Sequence, residues 1–160
     1  MTCGCRDSDP PPALKRISRK TKDISKPMAY LAAYLTALVV FGGIDALWLS
    51  FMGPAVYRPV LADILAPNLR LPPAIAFYVA FPIGLVVFGV LPGMRSGALT
   101  SAFAFAVLFG ALAYATYDLT NYATLRVWTL QITLLDIGYG ALASGVAATL
   151  ACLAARTLTR

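Results

Sequence analysis

Four apolar runs, each close to the ~20 residues that cross a hydrocarbon core, decide what this chain can be. They extend from about Met28 to Phe51, Leu71 to Leu91, Gly97 to Tyr117 and Trp128 to Ala154. In lipid every backbone polar group has to be satisfied inside its own segment, so the runs read as helices and the chain as an all-α, four-helix transmembrane bundle. Composition agrees: 59% of residues are hydrophobic and 12% charged, against about 25% charged in soluble domains. Residues 28–160 form one domain on this reading. Gly53-Pro54 and Pro92-Gly93 close the first two runs, and Pro72-Pro73 sits in the first turn of the second, where a missing N–H does no harm. Pro82 lies inside that second run and predicts a kink. After the first span, Val60, Leu61, Ile64 and Leu65 share one helical face behind Pro59, which predicts a short interfacial helix lying on the bilayer.

The segment 1–27 differs from the rest. It holds seven Lys/Arg against three Asp, a Pro10-Pro11-Pro12 run and almost no apolar periodicity, and so reads as a disordered basic tail. The run behind it is too long for a secretory signal. Contact with anionic lipid headgroups suits its charge better than nucleic acid, since no aromatic residues interleave the cations. Met28, directly before the first span, is an alternative start. With the tail inside, ten Lys/Arg face the cytoplasm and three, Arg58, Arg70 and Arg126, face outward. That places both termini in the cytoplasm and the protein in the inner (plasma) membrane. Starting at Met28 levels the count.

Histidine and glutamate are both absent. Imidazole metal sites, Ser-His-Asp and Cys-His nucleophiles are thereby excluded, and neither metal nor cofactor is implied. Cys3 and Cys5 are two ligands short of a structural zinc site, and Cys152 is a small apolar residue of the fourth run. Gly140, Ser144, Ala148 and Cys152 recur every fourth residue, as do Ala106 and Gly110 with Ala113 beside them. Small residues at that spacing let helix backbones approach closely in lipid, within the bundle or between copies in a homo-oligomer.

Charges inside the spans are costly, at least ~2.5–3.5 kcal/mol at the bilayer centre, and therefore informative. Asp45 lies near the outer end of the first span, about 9 Å deep, and Asp136 enters the fourth to about 12 Å from the same side. Asp118 stands at the outer end of the third. Trp48 and Tyr139 follow Asp45 and Asp136 by three residues, on the same helical faces. Asn121 and Tyr122 follow Asp118, and Arg126 and Arg58 are within loop reach. The eight residues Asp45, Trp48, Asp118, Asn121, Tyr122, Arg126, Asp136 and Tyr139 therefore form the candidate ligand-binding set, one polar pocket in the outer leaflet. A structural reading stands beside it: Asp118 caps a helix or pairs with Arg126, Asp45 and Asp136 share a proton or pair with Arg126, and Trp128 is an interfacial anchor.

Asp45-x-x-Trp48-Leu49, Phe77-Tyr78, Tyr117-Asp118-Leu119-Thr120-Asn121, Ala123-Thr124, Trp128 and Asp136-x-x-Tyr139-Gly140 together resemble an uncharacterised bacterial membrane-protein family, domain of unknown function 2177. The resemblance spans about Met28 to Ala151. It implies a four-helix inner-membrane protein starting near Met28, and no activity or cofactor. Tyr139 stands where that family carries tryptophan.

Three functions fit the polar set. Carboxylates ringed by Trp and Tyr suit a small cationic or amphipathic ligand, with a proton competing for Asp45. A lipid-modifying enzyme would use Asp45 and Asp136 as acid and base and Arg58 or Arg126 to hold phosphate. An accessory subunit would need the cluster only to order its bundle. Ligand binding ranks first.

Overall fold

The computed structural model describes residues 12–62, 64–66 and 68–159, with side chains from residue 26 onward. Helix α1 (Pro12–Met52) passes through a π-helical turn (Gly53–Tyr57) into the short α2 (Arg58–Leu61). Helix α3 (Leu71–Leu85) likewise runs through a π turn (Val86–Val90) into α4 (Leu91–Ser96), and α5 (Leu99–Thr124) and α6 (Leu130–Thr159) follow. The four candidate spans are Lys26–Leu61, Leu71–Ser96, Leu99–Thr124 and Leu130–Thr159. The all-α, four-span architecture is therefore the one that the apolar runs predict.

The first two spans outlast their predicted ends for one reason. Each π turn finishes two residues before a proline, Pro59 or Pro92. A helical proline lacks an N–H and collides with the carbonyl four residues back. Widening the preceding turn by one residue relieves that collision, and the bonds from Arg58 N–H to Gly53 O and from Leu91 N–H to Val86 O close it. The second span thus carries through Pro92, which reads as its end, and the first through Gly53-Pro54, which reads as its end, and on past Pro59. The interfacial segment is correspondingly not set apart: α2 continues the first span without a break, and Ile64 and Leu65 lie in the following loop. Pro82 remains within α3 and is buried. Gly97, with φ +70°, takes the left-handed conformation that turns α4 into α5.

Residues 12–27 have helical backbone continuous with the first span, where a disordered tail is predicted from composition. Pro12 stands at the first helical position, and the stretch behind it contains no glycine and six Lys and Arg, good helix formers. The predicted disorder of residues 1–11, with Cys3 and Cys5, lies outside the described residues.

Packing is densest where side chains are smallest. Ala29, Ala33 and Ala37 of α1, Ala102 and Ala106 of α5, and Ala147, Ala148, Ala151, Cys152 and Ala155 of α6 are fully buried in one cluster. These small-residue stripes meet one another within the chain, where close backbone approach supplies the dispersion that holds helices together in lipid. The α5–α6 seam is tight at Gly110, where an added Cβ would collide with Ser144 Oγ and the Gly140 carbonyl. At Gly138 the same addition meets nothing. Gly110→Ala is accordingly expected to destabilise the bundle by ~1–3 kcal/mol, read as a lowered melting temperature in detergent, with Gly138→Ala unchanged or slightly more stable.

Candidate functional site

At the end of the bundle where α1 and α5 exit and α3 and α6 enter, the small residues give way to aromatic ones. Phe41, Phe77 and Phe81 pack in mutual contact, and Phe81 meets Tyr114 edge-on at 6.2 Å. Rings of this size hold the helices apart and leave a cavity of about 550 Å³. Its polar walls are Asp45 and Trp48 from α1, Tyr57 from the π turn, Tyr114 and Tyr117 from α5, and Asp136 and Tyr139 from α6. Leu61, Leu65 and Trp128 complete it towards the loops.

Both carboxylates of this cavity are buried, Asp45 at 6% and Asp136 at 7% exposure. Asp45 accepts from Tyr78 Oη and, at 3.0 Å, from Tyr139 Oη. Asp136 accepts from Tyr57 Oη, which in turn accepts from Trp48 Nε1 at 2.9 Å. Trp48 stacks on Tyr139 with centroids 4.1 Å apart and planes within 10°. Indole and phenol rings of α1, the π turn and α6 thus connect the two carboxylates through one stack and three hydrogen bonds, and Tyr78 of α3 adds a fourth bond on Asp45. These donors are neutral. They satisfy lone pairs without cancelling charge.

Of the eight residues that the sequence singles out, Asp45, Trp48, Asp136 and Tyr139 line the cavity together. Asp118 is fully buried on α5, one residue from Tyr117 but not in the cavity wall. Asn121 is half-buried outside the wall, and Tyr122 and Arg126 are exposed. The expected pairing of Arg126 with an intramembrane aspartate is not what these carboxylates use, since the bonds to Asp45 and Asp136 come from tyrosines. Nor does Asp118 cap a helix: α5 continues to Thr124, with Thr116, Thr120 and Thr124 hydroxyls bonded back to the carbonyls four residues earlier. Trp128, expected at the interface, is 7% exposed and donates to Thr133 Oγ1 at 3.2 Å. It packs with Leu61 and Ile132 in a second apolar cluster that draws α2 over the start of α6.

Sequence reasoning misses Tyr57 and Tyr78 as site residues. Their partners are 79 and 33 positions away, beyond any helical spacing rule. The available signal is a phenol within or beside an apolar run, which needs a hydrogen-bond partner once it is withdrawn from water.

Residues 30–153 match the family model described as "Predicted membrane protein (DUF2177)". The chain belongs to this family. No curated protein and no solved structure matches it. The match takes in the second and third spans whole, most of the first and fourth, and every cavity residue named above, and leaves the basic segment outside.

Two substitutions separate site from surroundings. Tyr57→Phe strands both Asp136 and the Trp48 N–H and is expected to cost ~1–3 kcal/mol. Arg126→Gln, at an exposed position, is expected to stay within ~0.5 kcal/mol of the parent. Thermal melting in detergent checks both.

Proposed function

We propose that this membrane protein binds a small cationic, amphipathic molecule in the aromatic cavity between its four spans. One observation carries the reading: two buried carboxylates face a cavity of about 550 Å³ and are held by neutral donors, while Arg58, Arg70 and Arg126, the cations of that end, are exposed. A bound cation supplies the missing positive charge, and each ring it faces adds ~0.5–2 kcal/mol of cation–π attraction. The volume falls within the ~300–1,000 Å³ of small-molecule sites.

The amphipathic part of the reading rests on α3. Its buried residues, Phe81, Pro82 and Leu85, all lie in its second half. Its first half packs weakly and leaves Phe77, a cavity residue, 40% exposed, so the cavity communicates sideways with lipid. An apolar tail fits that opening while the charged head meets Asp45 and Asp136. The lipid-modifying enzyme receives less support, because the arginines assigned to its phosphate are exposed.

Tetraphenylphosphonium is a suitable probe, being an aromatic monovalent cation. Equilibrium dialysis on the purified full chain is expected to show saturable binding, weakened at least ~tenfold (about 1.4 kcal/mol) in Asp45→Asn and Asp136→Asn with melting preserved. Absence of saturable binding to the parent, or undiminished binding to both variants, overturns the reading.

We further infer that the membrane is the inner (plasma) membrane, with both termini cytoplasmic and the cavity in the outer leaflet. Support comes from the cations: Arg95 and Arg156 share one end, Arg156 Nη2 donating to Gly93 O at 3.0 Å, and the Lys/Arg-rich segment before the first span joins them. A reporter active only in the cytoplasm, fused after Arg160, is expected to be active, and one active only after export to be silent. The opposite pattern inverts the topology.

A further inference from the structure

Asp118 is the buried polar group that the cavity does not account for. Its residue exposure is 0%, and among the described residues neither carboxylate oxygen has a hydrogen-bond partner. An ionised carboxylate without donors or a countercharge is the most costly state a side chain can adopt in an apolar interior, and such a group relieves the cost by taking a proton.

The seam between α5 and α6 places this carboxyl. Gly110 lies against Ser144, and Gly140 against Tyr114. The helices are antiparallel, so one further four-residue step along each sets Asp118 level with Asp136. Among the described residues, the titratable groups that the packed elements gather at this end of the bundle are Asp136 and Tyr139 from α6, Tyr57 from the π turn, Asp45 from α1, Tyr78 from α3, and Tyr114 and Tyr117 from α5. All are acidic. Arg58, Arg70 and Arg126, the described cations of this end, are exposed. Two carboxylates brought together in low dielectric without a cation do not both ionise.

We propose that Asp118 holds a proton while the cavity is empty and releases it when a cation binds against Asp45 and Asp136, making the protein a proton-for-cation exchanger. The inference rests on the ligand-binding reading above. The step balances: the carboxyl O–H bond breaks, the proton leaves to water, and the bound cation supplies the positive charge that the site loses. No electron moves. Proton and cation weaken each other because both are positive charges in one poorly screened site, and that weakening is reciprocal.

Infrared spectroscopy of the full chain in detergent near neutral pH tests the proton, and calorimetric titration with tetraphenylphosphonium in two buffers of different ionisation heat tests the exchange. The expected result is a neutral-carboxyl C=O band in the empty protein, absent in Asp118→Asn, retained in Asp136→Asn, and diminished when the probe is added. About one proton should leave per probe bound. Affinity should rise with pH by up to ~tenfold per unit in the parent and stay flat in Asp118→Asn. A parent without the neutral-carboxyl band, or one whose band Asp136→Asn removes, overturns the proton site even if Asp118→Asn fails to fold. Probe binding without proton release overturns the exchange. A parent that shows the band but binds no probe overturns the ligand reading and the exchange with it, leaving the proton on Asp118 established.

Discussion

Close approach of helix backbones is the interaction on which the rest of the molecule depends. Lipid gives no hydrophobic drive for helices to associate, so the bundle is held by dispersion between small side chains meeting at four-residue intervals. Three such stripes run through the protein: Ala29, Ala33 and Ala37 in α1, Ala102, Ala106 and Gly110 in α5, and Cys152, Ala148, Ser144 and Gly140 in α6. Followed in steps of four, the first passes Phe41 and ends on Asp45, the second passes Tyr114 and ends on Asp118, and the third ends on Asp136. The packing that closes one end of the bundle thereby turns all three carboxylates away from lipid at the other. No separate device is needed to bury them.

Along those stripes the side chains grow. Alanine and glycine at the Arg95 end become Trp48, Tyr114, Trp128 and Tyr139 at the cavity end. Helices that touch at their alanines are spread by rings of this size, and the cavity is the space that results. Cohesion there passes from dispersion to hydrogen bonds between elements, Tyr78 to Asp45, Tyr139 to Asp45 and Tyr57 to Asp136. Such bonds contribute ~0.6–2 kcal/mol each in a membrane setting. The two kinds of packing divide the labour: one end is tight and apolar, the other open and polar.

Much of this was legible in the amino-acid sequence, and what was not has specific causes. Hydropathy reveals the four spans, and cost in lipid singles out Asp45 and Asp136. The carboxylates' partners are another matter. Arginine is the obvious partner for a buried aspartate, yet Arg126 is exposed and phenols take the role, because a tyrosine inside a span loses water and has to donate somewhere. Asp118 reads as a helix-end residue only if α5 ends at Tyr117, whereas the helix runs on to Thr124, about two turns further, with the Thr120 and Thr124 hydroxyls bonded back to it. Trp128 illustrates the converse: its position suits an interfacial anchor, but the fold of α2 across it supplies a burial that no local pattern announces.

The π turns also bear on angle. Tyr57 stands twelve residues beyond Asp45, which on a straight α-helix is about 120° around the axis at 100° per residue. A π turn takes up one extra residue, about 100° of rotation, and brings Tyr57 to within about 20° of the Asp45 face. Leu61 follows it into the cavity wall, one turn on. After the second π turn the same correction applies ahead of Gly93, whose missing Cβ admits Ala102. Proline at 59 and 92, ordinarily a helix terminator, here sets the azimuth of everything beyond it, so that a single helix presents two faces in succession to one interior.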